Sequence, residues 1–71
     1  MPGAYRYDYR QARTEIVPQG YYFHALVIAA IMQADGGNAA RLRQAFPELY
    51  DETQARYHAT GGLLDGEEPR D

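Results

Sequence analysis

The sequence predicts a small, mainly α-helical domain: three helices preceded by an extended or short β N-terminal arm. Three observations carry this expectation. The stretch Tyr21 to Ala34, YYFHALVIAAIMQA, is apolar apart from His24 and Gln33, and it repeats at helical spacing. Two further helical segments follow, separated by Phe46-Pro47, where proline disfavours helical geometry in the residue before it and suits the first turn of a new helix. Ahead of the apolar stretch, Tyr5, Tyr7 and Tyr9 alternate with Arg6, Asp8 and Arg10, the period of two of a short strand.

The apolar stretch organises the rest. Phe23, Leu26, Val27, Ala30, Ile31 and Ala34 fall on one helical face, and Tyr22, Ala25, Ile28, Ala29 and Met32 make the opposite face apolar as well. A helix apolar nearly all round is buried in a fold or lies in a membrane. Crossing a bilayer takes roughly 17–25 apolar residues, more than this run supplies, so a central buried helix is expected. Leu26, Ile31, Phe46 and Leu49 are the expected core.

Residues 1–20 read as an arm. Thr14 to Val17 could pair with the tyrosine segment as a hairpin, although no Asn-Gly or Asp-Gly turn supports it. The arm could shield apolar surface of its own helices. Equally, Tyr5, Arg6, Tyr7, Tyr9 and Arg10 could contact a partner, because tyrosine and arginine are enriched at binding hot spots. A stacking platform for single-stranded nucleic acid is a third reading, weakened by Asp8 and by an acidic chain. Pro18-Gln19-Gly20 breaks the chain before the central helix.

Asp35-Gly36-Gly37 is expected to end the central helix, with glycine in the left-handed position after it. Asn38 then reads as the N-cap of a second helix, Ala39 to Ala45. The third helix is expected from Pro47 to about Ala59, with Leu49, Tyr50, Thr53 and Tyr57 as its buried stripe. Glu52 and Arg56 form an i, i+4 pair. Gly61-Gly62 stops this helix, Leu63 and Leu64 fold back as a clasp, and residues 65–71 are expected to be a disordered acidic tail.

The pattern A-D-x-x-N-x-x-x-L-R-x-A-F-P-E-L-x-x-E-x-x-x-R-Y-x-A-x-G-G runs from Ala34 to Gly62. It resembles a group of small uncharacterised proteins encoded by bacteriophages and prophages. The resemblance covers somewhat under half of the chain and omits the tyrosine arm. Thr60 stands where proline is expected, so the terminal turn departs from the pattern. The resemblance implies a phage or mobile-element origin and transfers no catalytic residue.

Length and charge narrow the function classes. The chain has 71 residues, one domain at most, and small domains usually need a staple. No cysteine is present, which excludes disulfides and thiolate metal sites. Dense packing or a partner chain remains. No basic segment followed by an apolar one marks a signal peptide at Met1–Arg10, so a cytoplasmic location in the host cell is expected.

Net charge is −3 and uneven. Arg6, Arg10, Arg13, Arg41 and Arg43 stand against Asp8, Glu15 and Asp35 in residues 1–46, a net of +2. Arg56 and Arg70 stand against seven carboxylates in residues 47–71, a net of −5. Glu48, Asp51 and Glu52 form the expected partner-binding acidic face, suited to a basic protein surface. The plain alternative is a solvated face.

Catalytic signatures are weak. Gly36-Gly37 lacks the lysine and Ser/Thr of a phosphate loop. His24 and His58 would need further ligands, such as Asp35 or Glu52, to hold a metal. Asp51 and Glu52 point about 100° apart on a helix, which does not make a catalytic carboxylate pair. No enzyme activity, cofactor or metal is expected. The helix–break–helix over 38–59 suggests a helix-turn-helix reader, but its second helix opens with carboxylates that phosphates repel.

The favoured expectation is a phage-type accessory protein that binds and inhibits a host protein, such as an anti-CRISPR or anti-restriction factor. A dimeric DNA-binding regulator is the alternative. A homodimer through Ala25, Ile28, Ala29 and Met32 is expected, because the rest of the chain covers only one face of the central helix.

Overall fold

The computed structural model describes residues 3–68, and the fold is mainly α, with no strand among the described residues. Helix α1 spans Arg6–Gln11 and runs on through a π turn, Ala12–Ile16, and a 3-10 turn, Val17–Gln19. Helices α2 (Phe23–Gln33), α3 (Gly36–Ala45) and α4 (Pro47–Tyr57) form the body, closed by a 3-10 turn at Thr60–Gly62.

The breaks have local causes. Pro18 sits in the short turn that ends the arm, and Gly20 caps it at φ 74°, a left-handed value that favours glycine. Phe46, at φ −133° and ψ 64°, is the single residue between α3 and α4. Its amide still donates to the Leu42 carbonyl and its carbonyl accepts from the Tyr50 amide, each at 2.8 Å, so the bend loses few backbone bonds.

The junction of α2 and α3 differs from expectation. The glycines do not terminate α2; they are the first two residues of α3. Asp35, not Asn38, is the N-cap, its Oδ1 accepting from the Asn38 amide at 2.9 Å. Aspartate satisfies an orphan helix donor at this position. Asp35→Ala is therefore expected to destabilise the fold by about 1 kcal/mol, lowering the midpoint by roughly 4–8 °C. Asp35→Asn should retain most of it. Paired thermal melts decide; equal midpoints for Asp35→Ala and the unmodified chain would reject the cap.

Packing is sparse. Helix α2 lies against α4 and more lightly against α3, and α3 against α4. The buried residues are Val27 at 8% exposure, Ile31 at 4% and Thr53 at 3%. Ile31 meets the expected core. Phe46 and Leu49 are half-buried, and Leu26 is 36% exposed. Leu26 lies 100° from Val27 around the helix, so facing α4 with Val27 and Ile31 turns Leu26 to the flank. Thr53 is buried without cost because its hydroxyl donates to the Leu49 carbonyl at 2.7 Å. The Phe23 and Phe46 rings, 6.1 Å apart, join the start of α2 to the α3–α4 bend.

The N-terminal arm is helical, which corrects the extended or β expectation for Arg6 to Gln19. A lone hairpin is marginal without a sheet to join, and this fold supplies none among its described residues. Over a longer window Tyr5, Tyr9, Ala12 and Ile16 recur at i, i+4, i+7 and i+11, a helical spacing. Thr14 donates to the Arg10 carbonyl at 2.7 Å inside the π turn.

The tail differs too. Residues 65–68 turn back toward α4 rather than trailing from it, and residues 69–71, also assigned to a disordered tail, lie outside the described residues. The radius of gyration is 14.5 Å, against about 11 Å for a compact chain of this length.

Candidate protein-interaction surfaces

Helix α4 carries Glu48, Asp51 and Glu52, all exposed. Their spacing places them along one side of the helix. Glu52 is not an isolated charge, because its Oε2 accepts from Arg56 Nε at 2.9 Å, as the i, i+4 spacing predicts. Arg56 then organises the tail. Its Nη1 donates to the Gly62 carbonyl at 3.0 Å and to Glu67 Oε1 at 2.7 Å, and its Nη2 donates to Glu67 Oε2 at 2.8 Å. This fork-to-fork pairing suits the planar guanidinium. Glu67 Oε1 also accepts from the Leu64 amide at 2.8 Å.

Gly61 and Gly62 make this return possible, with φ of 64° and 71°. Hydrogen bonding to Arg56, then to the Leu64 amide, holds the Glu67 carboxyl down at about 2 from an ordinary 4.5. The same contacts with Glu67 and Glu52 raise Arg56 further. Two carboxylates, Glu52 and Glu67, thus meet on one guanidinium, and residues 47–68 carry a net of −5 through Glu48, Asp51, Glu52, Asp65, Glu67 and Glu68 against Arg56. Among the described residues, Glu48 and Asp51 form no ion pair.

The second surface is apolar. Among the described residues, ten of the eleven exposed large hydrophobic side chains fall between Tyr5 and Met32. Arm residues Tyr5, Arg6, Tyr7, Tyr9 and Arg10 are all exposed, and the arm packs on no element of the α2–α4 body. On α2, Ala25, Ala29 and Met32 are exposed and Ile28 is half-buried. Ala25, Ala29 and Met32 lie opposite the buried Val27–Ile31 stripe. A cleft of about 520 Å³ runs along this side, lined by Ile16, Tyr21, Ala25, Leu26, Ala29 and Gln33.

The remaining candidates stay apart. No group of three metal-ligating side chains converges among the described residues. His24 meets the Phe23 ring edge-on and His58 meets the Tyr57 ring in the same way. An open groove of about 690 Å³ between α3 and α4 is lined by Ala40, Arg43, Tyr50 and Asp51, and the Arg43 guanidinium lies 5.9 Å from the Tyr50 ring centre. A helix-turn-helix joins its helices through three or four residues; α3 and α4 are joined by Phe46 alone.

No family model matches the chain, and neither a curated protein nor a solved structure does. No helix among the described residues is long and apolar enough to cross a membrane. The Arg56–Glu67 pairing escaped the sequence reading. Its only signal is Gly61-Gly62, which permits a reversal but does not name the carboxylate that returns.

Proposed function

We propose that the chain is a stoichiometric protein-binding module whose acidic α4 face meets a basic surface on its target. One observation supports this above others: the tail returns onto Arg56, so carboxylates from two stretches of chain share one face. Such a face supplies carboxylates where nucleic-acid phosphates would sit. Its most concrete form is a phage accessory protein in the host cytoplasm, inhibiting a host defence complex in the manner of an anti-CRISPR or anti-restriction factor. The phage form of this proposal rests on the resemblance carried by the pattern from Ala34 to Gly62.

A dimeric DNA-binding regulator is the second reading, favoured by the exposed Arg6, Arg10 and Arg13 of the arm. Tagged pull-down from host lysate, with and without nuclease, separates the two. A host protein retained after nuclease supports the first, and recovered DNA supports the second. Glu48→Lys/Asp51→Lys, which spares Glu52 and the Arg56 contacts, is expected to slow association with that protein on the order of tenfold or more, in a salt-dependent way. Kinetics unchanged by the double reversal would reject the acidic face.

A further inference from the structure

The accessible surface of the chain is 6525 Å². A folded monomer of 8.0 kDa exposes about 4,500 Å². The excess is about 2,000 Å², the surface of the unpacked arm included, and one subunit of an obligate homodimer buries roughly 1,000–2,500 Å². The exposed apolar side chains are concentrated on the arm and on the outer side of α2. Tyr22 at the head of α2 is 87% exposed.

The outer side of α2 has the features of a self-complementary surface. It carries bulk at Tyr22 and Met32 and hollows at Ala25 and Ala29, where a second backbone can approach closely. Between Phe23 and Gln33 there is no Asp, Glu, Lys or Arg, so two copies meet there without like charges facing each other. A basic partner gains nothing from this uncharged side and is drawn to α4 instead. We infer that a second copy of this chain docks along the outer side of α2, antiparallel about a twofold axis near Ala25 and Ala29, with its own α2 seated in the cleft bounded by Ile16. With the axis there, Ala25 of one copy faces Ala29 of the other and lets the helices approach closely, while Tyr22 of each copy faces Met32 of the other at the two ends. Residues on opposite sides of α2 thereby serve different ends: Val27 and Ile31 hold the body, while Ala25 and Ala29 hold the dimer. The inference is independent of the acidic-face reading.

Sedimentation equilibrium over a dilution series tests it. The unmodified chain is expected at twice 8.0 kDa, dissociating only on dilution. Ala29→Arg adds a charge at a position already exposed in the single chain, and it is expected to weaken association on the order of a hundredfold or more. Loss of helical circular dichroism in Ala29→Arg, recovered as its concentration rises, supports the dimer as well, because the substitution removes no contact within one chain. A mass of 8.0 kDa at every concentration for the unmodified protein overturns the inference. So does a dimer that Ala29→Arg leaves equally tight, which would place the interface elsewhere. Glu48→Lys/Asp51→Lys should leave the mass unchanged, separating this result from the fate of the acidic face.

Discussion

Ile31→Ala is expected to leave most molecules unfolded at 25 °C. Ile31 is one of only two buried hydrophobic side chains among the described residues, and it sits where α2 meets α4. Truncating a buried isoleucine costs roughly 2–5 kcal/mol, through lost transfer energy and a residual cavity. A domain this small lies near the bottom of the usual stability range, about 5 kcal/mol. Ile31→Val, costing about 0.5–1.5 kcal/mol, should stay folded with a lowered midpoint. Far-ultraviolet circular dichroism during thermal melts distinguishes them. A midpoint for Ile31→Ala within a few degrees of the unmodified chain would mean that α2 and α4 are held together by something other than this contact. If the folded state is the dimer, both midpoints rise with protein concentration, since association stabilises by mass action.

The second large effect is expected at Arg56. Its guanidinium binds the Glu52 carboxylate, the Gly62 carbonyl and the Glu67 carboxylate together. Arg56→Gln should release residues 60–68 from α4 while leaving α2, α3 and α4 helical. Arg56→Lys should rescue little, because one ammonium cannot reproduce a planar fork. The signature is local: the Leu64 amide loses its hydrogen-exchange protection, and the segment after Gly61 becomes a protease target. Acid should produce the same release in the unmodified chain. Glu67 is held at about 2, below its ordinary 4.5, so its contribution is complete above 4.5 and is lost as pH falls toward 2. The pairing is partly exposed, so salt weakens it as well. A Leu64 amide resonance that titrates near 4.5, or that is unmoved by Arg56→Gln, would show that the tail is held by another contact.

Much of the body is legible in the sequence because its causes are local. The break at Phe46-Pro47, the Glu52–Arg56 pair and the buried Thr53 each follow from residues within one or two turns of each other. The choice of Val27 over Leu26 does not, because α2 is apolar nearly all round and periodicity cannot say which side meets α4. The arm misleads for a related reason: Tyr5, Tyr7 and Tyr9 satisfy a period of two over six residues, while Ile16 completes a helical spacing only over twelve. Asp35-Gly36-Gly37 serves as either a stop or a start, and the side chain of Asp35 decides. Of the candidate surfaces, the carboxylates of α4 are visible in the sequence, but the partner of Glu67 lies eleven residues away, across a turn that only the folded chain specifies.

No more than one helix separates any packed pair in the body, α2 meeting α4 across α3, which bears on timing. Domains wired through short sequence separations fold in microseconds to milliseconds. The meeting of two subunits is slower and depends on concentration, taking milliseconds to minutes. In the dimer inferred here, helices form within one chain faster than two chains meet, and association then holds them in place. The interval between the two steps shortens as copies accumulate. During it, Tyr22 and Met32 face water, so the rate of synthesis, more than the rate of folding, sets how long this surface stays open to misassociation.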